Sequence, residues 1–429
     1  MNAAERLRLP VRFAGMRLTL VRALGALGAN ALSAGCTMPI AKPVEPAPAP
    51  LVSMAAALDR SGFALFDQVR GRAPAAENTF ISPVSVQQAM GLVRAGARGA
   101  TAQQIDAWLG LPSGTDPDAA LAAQRQAVTG SFGNSQVKLA NALWLGNRFA
   151  FQPGYLDLTR NRYAATAQRL YFAAAPQRSA DTINAWAAKN TNGLITKVVD
   201  ASGFDAATAA VLTNAVYFDG EWEARLGPAV PEPFLFGSGR EAPFAMMHNR
   251  TSHAYAEADG WKAVRMPYAS QNRFAMDLFV PLRRQTGAVL SAATYRKLTS
   301  ALDTAPSVLT DIALPRFEVV WNQTLNDVLM ALGITEAFSS RADLSGIAGG
   351  PGDLLVSKVA HASRLQVFET GTRAAAVTTV EIMVTGALIG GPPKQFRADQ
   401  PFYPAIRELD SGAPLFLGRI ADPQSYAGN

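Results

Sequence analysis

Three histidines (His248, His253 and His361) and one cysteine (Cys36) are all that 429 residues offer of the two side chains most used in metal and nucleophilic chemistry. A lone cysteine excludes an intrachain disulfide, so packing by itself must carry stability. No H-E-x-x-H pair could hold zinc on one helical face, and a metal site is not expected. The chain also lacks a G-x-S-x-G elbow to present a serine, a G-x-x-x-x-G-K-[ST] loop to offer amides to phosphate, and a G-x-G-x-x-G opening for a dinucleotide. No cofactor is implied. A Ser-His-Asp site assembled from distant residues is left only as a formal option, since such triads follow no fixed spacing. His248 and His253 lie five apart, flank polar residues and are expected as solvated surface histidines.

Charge is scarce as well: 17% of residues are charged and the net charge is +6. Arg6, Arg8, Arg12, Arg17 and Arg22 against Glu5 place +4 of it in the first 35 residues and leave +2 for the rest. No later Lys/Arg cluster is interleaved with aromatics, which excludes the electrostatic footprint of a nucleic-acid binder. What is present is apolar: 49% of the chain is hydrophobic, enough for a large core.

The early arginines precede the apolar run "ALGALGANALSAGC", too short to span a bilayer as a helix. Charged start, apolar middle and small-residue end describe a secretory signal peptide over residues 1–35, with Met16 as an alternative start. "LSAGC" resembles a bacterial lipobox, with Ala34 and Gly35 in the small positions and Leu32 one place early. Cys36 is therefore either a lipidation site that anchors the protein to a membrane or a stray thiol beside an ordinary export signal. The prolines at 39, 43, 46, 48 and 50 write residues 36–50 as a polyproline II tether of roughly 3 Å per residue, or as a leader remnant. No further linker interrupts the chain, and residues 51–429 are expected to form one domain.

From Leu51 the periodicity is first helical: "LVSMAAALDRSGFALFDQVR", then "SPVSVQQAMGLVRAGA" opening at Ser82-Pro83, then "TAQQIDAWLGL" with Thr101 as its cap. Strand patterns follow in "AAVLTNAVYF", "FAMDLFVP", "DIALPRFEVV", "SRLQVFE" and "PLFLGRI", with helical patches at "SADTINAWAAKNTNG" and "NQTLNDVLMALG". Helices first and strands later, without strict alternation, predict an α+β fold with large mixed sheets.

Proline is missing throughout "FETGTRAAAVTTVEIMVTGALIGG", Phe368 to Gly391, where an exposed loop would normally carry it. At period two, one face reads Thr372, Ala374, Ala376, Thr378, Val380 and Ile382, uncharged throughout, while the other holds Arg373 and Glu381. The segment is written as a strand, with Gly371 as a pivot where the chain must bend. A permanent strand fits the alternation but leaves the crowding of small residues at its start and the ragged tail "TGALIGG" unexplained.

"ETGTRAAAVTT" resembles the hinge of the serpins, a family of serine and sometimes cysteine protease inhibitors. "NTFISPVSVQQAMGLVRAGARGATAQQI", "INAWAAKNTNGLI", "LTNAVYFDGEWE", "MPYASQNRFAMDLFVP", "LPRFEV", "VSKVAHAS" and "FRADQPFYPAIRELDSGAPLFLGRIADP" resemble other serpin motifs in family order. The resemblance implies three β-sheets with eight or nine helices and an exposed reactive loop over about 369–396. It implies a suicide-substrate inhibitor, not an enzyme, whose cut loop inserts into the main sheet and traps a serine protease as a covalent complex. The hinge would comprise Glu369, Gly371, Thr372, Ala374, Ala375, Ala376 and Thr378; Thr370 and Arg373 depart from the acids usual there. The family interval puts the reactive bond at Thr385-Gly386, with Val384, Ala387 or Leu388 as alternative primary residues, suited to elastase-like or subtilisin-like proteases. Ser82, Ser85, Asn214 and His361 match the polar cluster under the main sheet, where they serve conformational control or plain core hydrogen bonding, and Trp222 matches the tryptophan at the insertion point. An exported, bacterial, monomeric inhibitor is the expectation, with a non-inhibitory binding protein or protease substrate as the alternative.

Overall fold

In a computed structural model of the chain, residues 49–372 and 392–425 are described. Residues 1–35, read as a signal peptide, Cys36, most of residues 36–50, read as a tether, and Ala374, Ala375, Ala376, Thr378, Thr385 and Gly386 lie outside the described residues. Eight α-helices are present among those described: α1 (Ala49–Arg72), α2 (Pro83–Gly96), α3 (Gly99–Leu109), α4 (Pro117–Val128), α5 (Pro153–Tyr163), α6 (Pro176–Asn190), α7 (Ala292–Thr304) and α8 (Asn326–Ala331). Ala49 and Pro50, read as the end of the tether, open α1, where a first-turn proline forfeits no helical hydrogen bond.

A seven-stranded sheet contains β2 (Gly130–Phe132), β3 (Ser135–Gly146), β4 (Thr166–Leu170), β5 (Ala210–Glu221), β11 (Phe317–Thr324), β12 (Val356–Phe368) and β13 (Gly371–Thr372). Its order is β11-β12-β13-β5-β3-β2, with β4 beside β3. A nine-stranded network contains β1 (Thr79–Ile81), β6 (Val230–Leu235), β7 (Glu241–Ala258), β8 (Trp261–Pro267), β9 (Phe274–Pro281), β10 (Ser307–Pro315), β14 (Lys394–Arg397), β15 (Tyr403–Glu408) and β16 (Pro414–Arg419). The long β7 pairs with β6 through Glu241 to Met246 and with β8 through Ala254 to Ala258, so it belongs to two strand groups at once. The described strands thus form two hydrogen-bonded sheets where three were expected, because β7 joins both strand groups and β10 pairs along it from Ala254 to Met246.

The seven-stranded sheet is buried on both faces. On one face Ala142, Trp144, Val211, Ala360 and Ala362 pack with Ile183 and Ala187 of α6. On the other, α2 buries nearly its whole circumference, with Val84, Val86, Ala89, Met90, Leu92 and Val93 all inaccessible to solvent. Two of its polar side chains are anchored through their amide nitrogens, Gln87 Nε2 donating to Leu58 O at 2.6 Å and Gln88 Nε2 to Leu121 O at 2.7 Å, while Gln88 Oε1 has no partner among the described residues. A buried amide side chain is tolerated on such terms, and it fixes the helix more specifically than another aliphatic would.

Several sequence expectations need correction. Thr101 does not cap α3, which begins at Gly99 behind Arg98; its hydroxyl instead accepts from Asp343 N at 3.0 Å, joining the helix to a distant turn. "DIALPRFEVV" is divided by Arg316 into β10 and β11, which enter different sheets. In "NQTLNDVLMALG", Asn322 to Thr324 close β11 and only Asn326–Ala331 is helical. His253 is buried, not solvated: Nδ1 lies 3.2 Å from the Arg265 carbonyl, to which it donates, and burial pushes the imidazole pKa down. Ser252 and Arg250 belong to the opposite face of β7, whereas Asn249 shares its face and lies 3.2 Å from Nε2, a consequence of period-two alternation that simple proximity conceals. His248 is half-exposed and lies 2.7 Å from Glu232.

Candidate functional site: a strand hinge and the polar cluster below it

β5 and β12 run parallel and pair directly from Val356↔Ala210 to Ala362↔Ala215. At their far ends they no longer meet, because β13 stands between them: Gly371 pairs with Phe368 and Glu221, and Thr372 with Val367 and Gly220. Between these levels, residues 216–219 and 363–366 face one another with no pairing among the described residues. The sheet is closed at the bottom and parted toward the top, with the first two residues of the hinge entering as a new strand. Both are buried.

Gly371 owes its place to size. A Cβ there would come within 2.2 Å of Gly220 O and 2.9 Å of Glu221 Cα, backbone atoms that cannot swing aside. The chain leading into it is held carbonyl by carbonyl. Trp222 Nε1 donates to Phe368 O at 3.0 Å, Leu226 N to Glu369 O at 2.9 Å, and Trp222 N to Thr370 O at 2.9 Å. The Glu369 carboxylate accepts from Ala229 N at 3.3 Å and lies 3.8 Å from Arg316. Thr370, one of the two departures from an acidic hinge, thus contributes its backbone. The Thr372 hydroxyl meets Tyr268 OH at 2.5 Å, and Tyr268 stacks on Trp222 at 4.4 Å between centroids.

At the last paired level lies the polar cluster. His361 on β12, Asn214 on β5 and Asn141 on β3 are directly opposite one another in register, so their side chains share one face. Ser82 N donates to His361 Nε2 at 3.1 Å, which leaves the ring proton on Nδ1, where it is donated to Asn214 Oδ1. Ser82 also caps α2, its hydroxyl accepting from Ser85 N at 3.3 Å. Ser363 Oγ donates to Phe80 O, and Trp321 flanks the His361 ring at 5.8 Å. Burial pushes His361 down to about 3, so the ring is neutral at physiological pH. Among the described residues, Ser85 Oγ, Asn214 Nδ2 and both amide atoms of Asn141 are buried without a hydrogen-bond partner. Unpaired buried polar atoms are costly, and this cluster is only partly satisfied among the described residues.

Nε2 of His361 is occupied by a backbone N–H, and none of the three histidines hydrogen bonds to a hydroxyl among the described residues. The cluster ties β5 to β12 at the level of His361 and Asn214. The structure brings Glu369, Gly371, Thr372 and Trp222 together at the gap and Ser82, Ser85, Asn214 and His361 below it, as two linked groups. Sequence reading passed over Tyr268, Arg316, Ser363 and Asn141. Only Asn141 left a signal, as the lone amide within the apolar run "LANALWLG".

Residues 56–423 match the family model described as Serpin (serine protease inhibitor). A serpin-like protein of Thermococcus kodakarensis is 31% identical over 364 residues, covering 84% of each chain. The leukocyte elastase inhibitor of Bos taurus is 32% identical over 369 residues, 81% of this chain and 94% of that one. Among solved structures, human thyroxine-binding globulin shares the fold with a TM-score of 0.77 at 23% identity, over 88% of this chain and 100% of that chain.

Proposed function

Because the chain belongs to the serpin family, whose members are protease inhibitors or binding proteins rather than enzymes, we propose that it is a suicide-substrate inhibitor of elastase-like or subtilisin-like serine proteases. The observation that carries this reading is the placement of Gly371 and Thr372 between β5 and β12, above a stretch where the two strands do not pair. An inhibitor that works by strand insertion needs a start for the strand and a slot for it.

In the proposed reaction the protease serine attacks the carbonyl carbon of Thr385. The Thr385-Gly386 amide breaks, an ester forms between the serine oxygen and Thr385, and Gly386 leaves as the new amine carrying the transferred proton. The arm from Arg373 to Thr385, freed at one end, then follows Thr372 into the slot before water can cleave the ester. Its inward residues Ala374, Ala376, Thr378 and Val380 are uncharged, so burial avoids the penalty of several kcal/mol that an unpaired ion would incur. No basic residue stands between Glu381 and Gly391. That argues against trypsin-like targets and agrees with the bovine relative, by its name an inhibitor of leukocyte elastase. Val384, Ala387 or Leu388 as the primary residue would change the preferred protease and not the mechanism.

A second reading, a binding protein, is favoured by one cleft. About 560 Å³ opens between α1, α4, α7 and the β15–β16 turn, lined by Met54, Leu58, Ala123, Ala127 and Leu409 with Arg296 at hand. Incubation with elastase and with subtilisin separates the readings. A covalent complex that survives denaturant supports inhibition; clean loop cleavage without complex supports the non-inhibitory reading. The same proposal covers an exported bacterial monomer, residues 51–429 forming one domain behind a cleaved leader and a proline-rich tether, with Cys36 lipidated. Recovery in the membrane fraction that is lost in Cys36→Ser tests the anchor.

A further inference from the structure

We propose that Tyr268 is a positioning residue for the insertion step, its hydroxyl capturing that of Thr372 and fixing the register in which the hinge enters between β5 and β12. This deepens the inhibitory reading and rests on it. Tyr268 follows β8, in the nine-stranded network, so it ties that network to β5 and to Trp222 just beyond it. Its N–H donates to Phe274 O at 3.0 Å, and its ring is held between Trp222, stacked at 4.4 Å, and Phe218, edge-on at 4.8 Å. The ring also lies against Gly220, the β5 partner of Thr372: a Cβ on Gly220 would come 2.9 Å from Tyr268 Cδ1. The missing side chain on β5 lets the ring approach, and the hydroxyl then reaches Thr372 Oγ1 at 2.5 Å.

Both hydroxyls are buried. Withdrawal of the hinge would separate them, and a buried phenol O–H is costly to leave unpaired. Burial pushes the phenol pKa up, so the group remains protonated and able to donate. Register matters because side chains alternate. With Thr372 set against Tyr268, Ala374, Ala376 and Thr378 would follow on the same face, whereas a slip of one residue would turn Arg373 and Glu381 inward.

Tyr268→Phe keeps the ring and its stack while removing the hydroxyl, and Thr372→Val removes the partner at nearly constant volume. In the uncut protein, amide hydrogen exchange across Phe368 to Thr372 should rise about tenfold in either variant, as expected for loss of one buried hydrogen bond, with no further rise in the double variant. With subtilisin, the moles of inhibitor consumed per mole of protease inactivated should rise about threefold or more in both, while the rate of loop attack stays unchanged. A merely structural tyrosine would lower the denaturation midpoint without moving this partition. Unchanged exchange at the hinge in Tyr268→Phe, or additive effects in the double variant, would overturn the proposal. Should the wild-type protein trap no protease, the inhibitory reading and the role in insertion fall together, while the exchange measurement still reports whether Tyr268 holds the hinge.

Discussion

At the scale of single residues, His361 is the group whose charge state the fold most constrains. It accepts from Ser82 N, donates to Asn214, and is held neutral by burial, with its pKa down at about 3 against roughly 6.5 in an unfolded chain. A histidine with a depressed folded pKa binds fewer protons folded than unfolded. Its contribution is therefore complete above about pH 6.5 and is lost progressively as pH falls toward 3. Stability, followed as the urea midpoint against pH, should fall on acidification through this window. His361→Gln should flatten the dependence between about pH 6 and 4 by up to roughly 1.4 kcal/mol per pH unit, the slope for one proton. His253, depressed by burial in the same direction, adds its own share in the same window and remains in the variant. An unaltered slope in His361→Gln would mean that the ring is solvated in the native state.

At the scale of elements, the hinge strand tests whether two residues suffice to seed an insertion. In Gly371→Val the added carbons would collide with Gly220 O and Glu221 Cα, so β13 should be expelled. Exchange across 369–372 should rise, and protease should cut the loop without being trapped. Most elements were legible from period and punctuation. Pro83 behind Ser82 marked α2, and "FAMDLFVP" marked β9 to the residue, since local propensity and tertiary demand agree there. Of the hinge, Gly371 and Thr372 were legible from the uncharged face that period two gives this stretch, while Ala374, Ala375, Ala376 and Thr378 lie outside the described residues. Legibility ended where a residue's task is set from another element. Nothing near Tyr268 in sequence announces Thr372, 104 positions away; Arg316 looks like strand interior until the sheet changes around it; and Thr101 resembles a cap because its true partner, Asp343, is equally remote.

At the scale of the whole molecule, the loop is secured at both ends to different sheets, and this separates the uncut from the cut state. Before it, Gly371 and Thr372 sit in the seven-stranded sheet; after it, β14 pairs in parallel with β10 in the nine-stranded network. Lys262 Nζ donates to Gln395 O at 3.0 Å, Ala398 N donates to Ala313 O at 2.8 Å, and Arg397 pairs with Glu232, so β14 resists being drawn out. A long extension of β13 by an intact loop would draw on β14, whereas a cut beyond the hinge would let the upstream arm follow Thr372 while β14 stays. Cleavage should therefore stabilise the protein, against the usual effect of a nick. For a body of this size, stabilisation by a new central strand should read in calorimetry as a rise in Tm of roughly 1 °C per kcal/mol gained. Thr378→Arg, which would place an ion on the buried face, should be cut equally well yet show little of that rise and trap no protease. A wild-type protein whose Tm stays level or drops after loop cleavage would show that the parted strands are not a slot, and the inhibitory mechanism would fail with it.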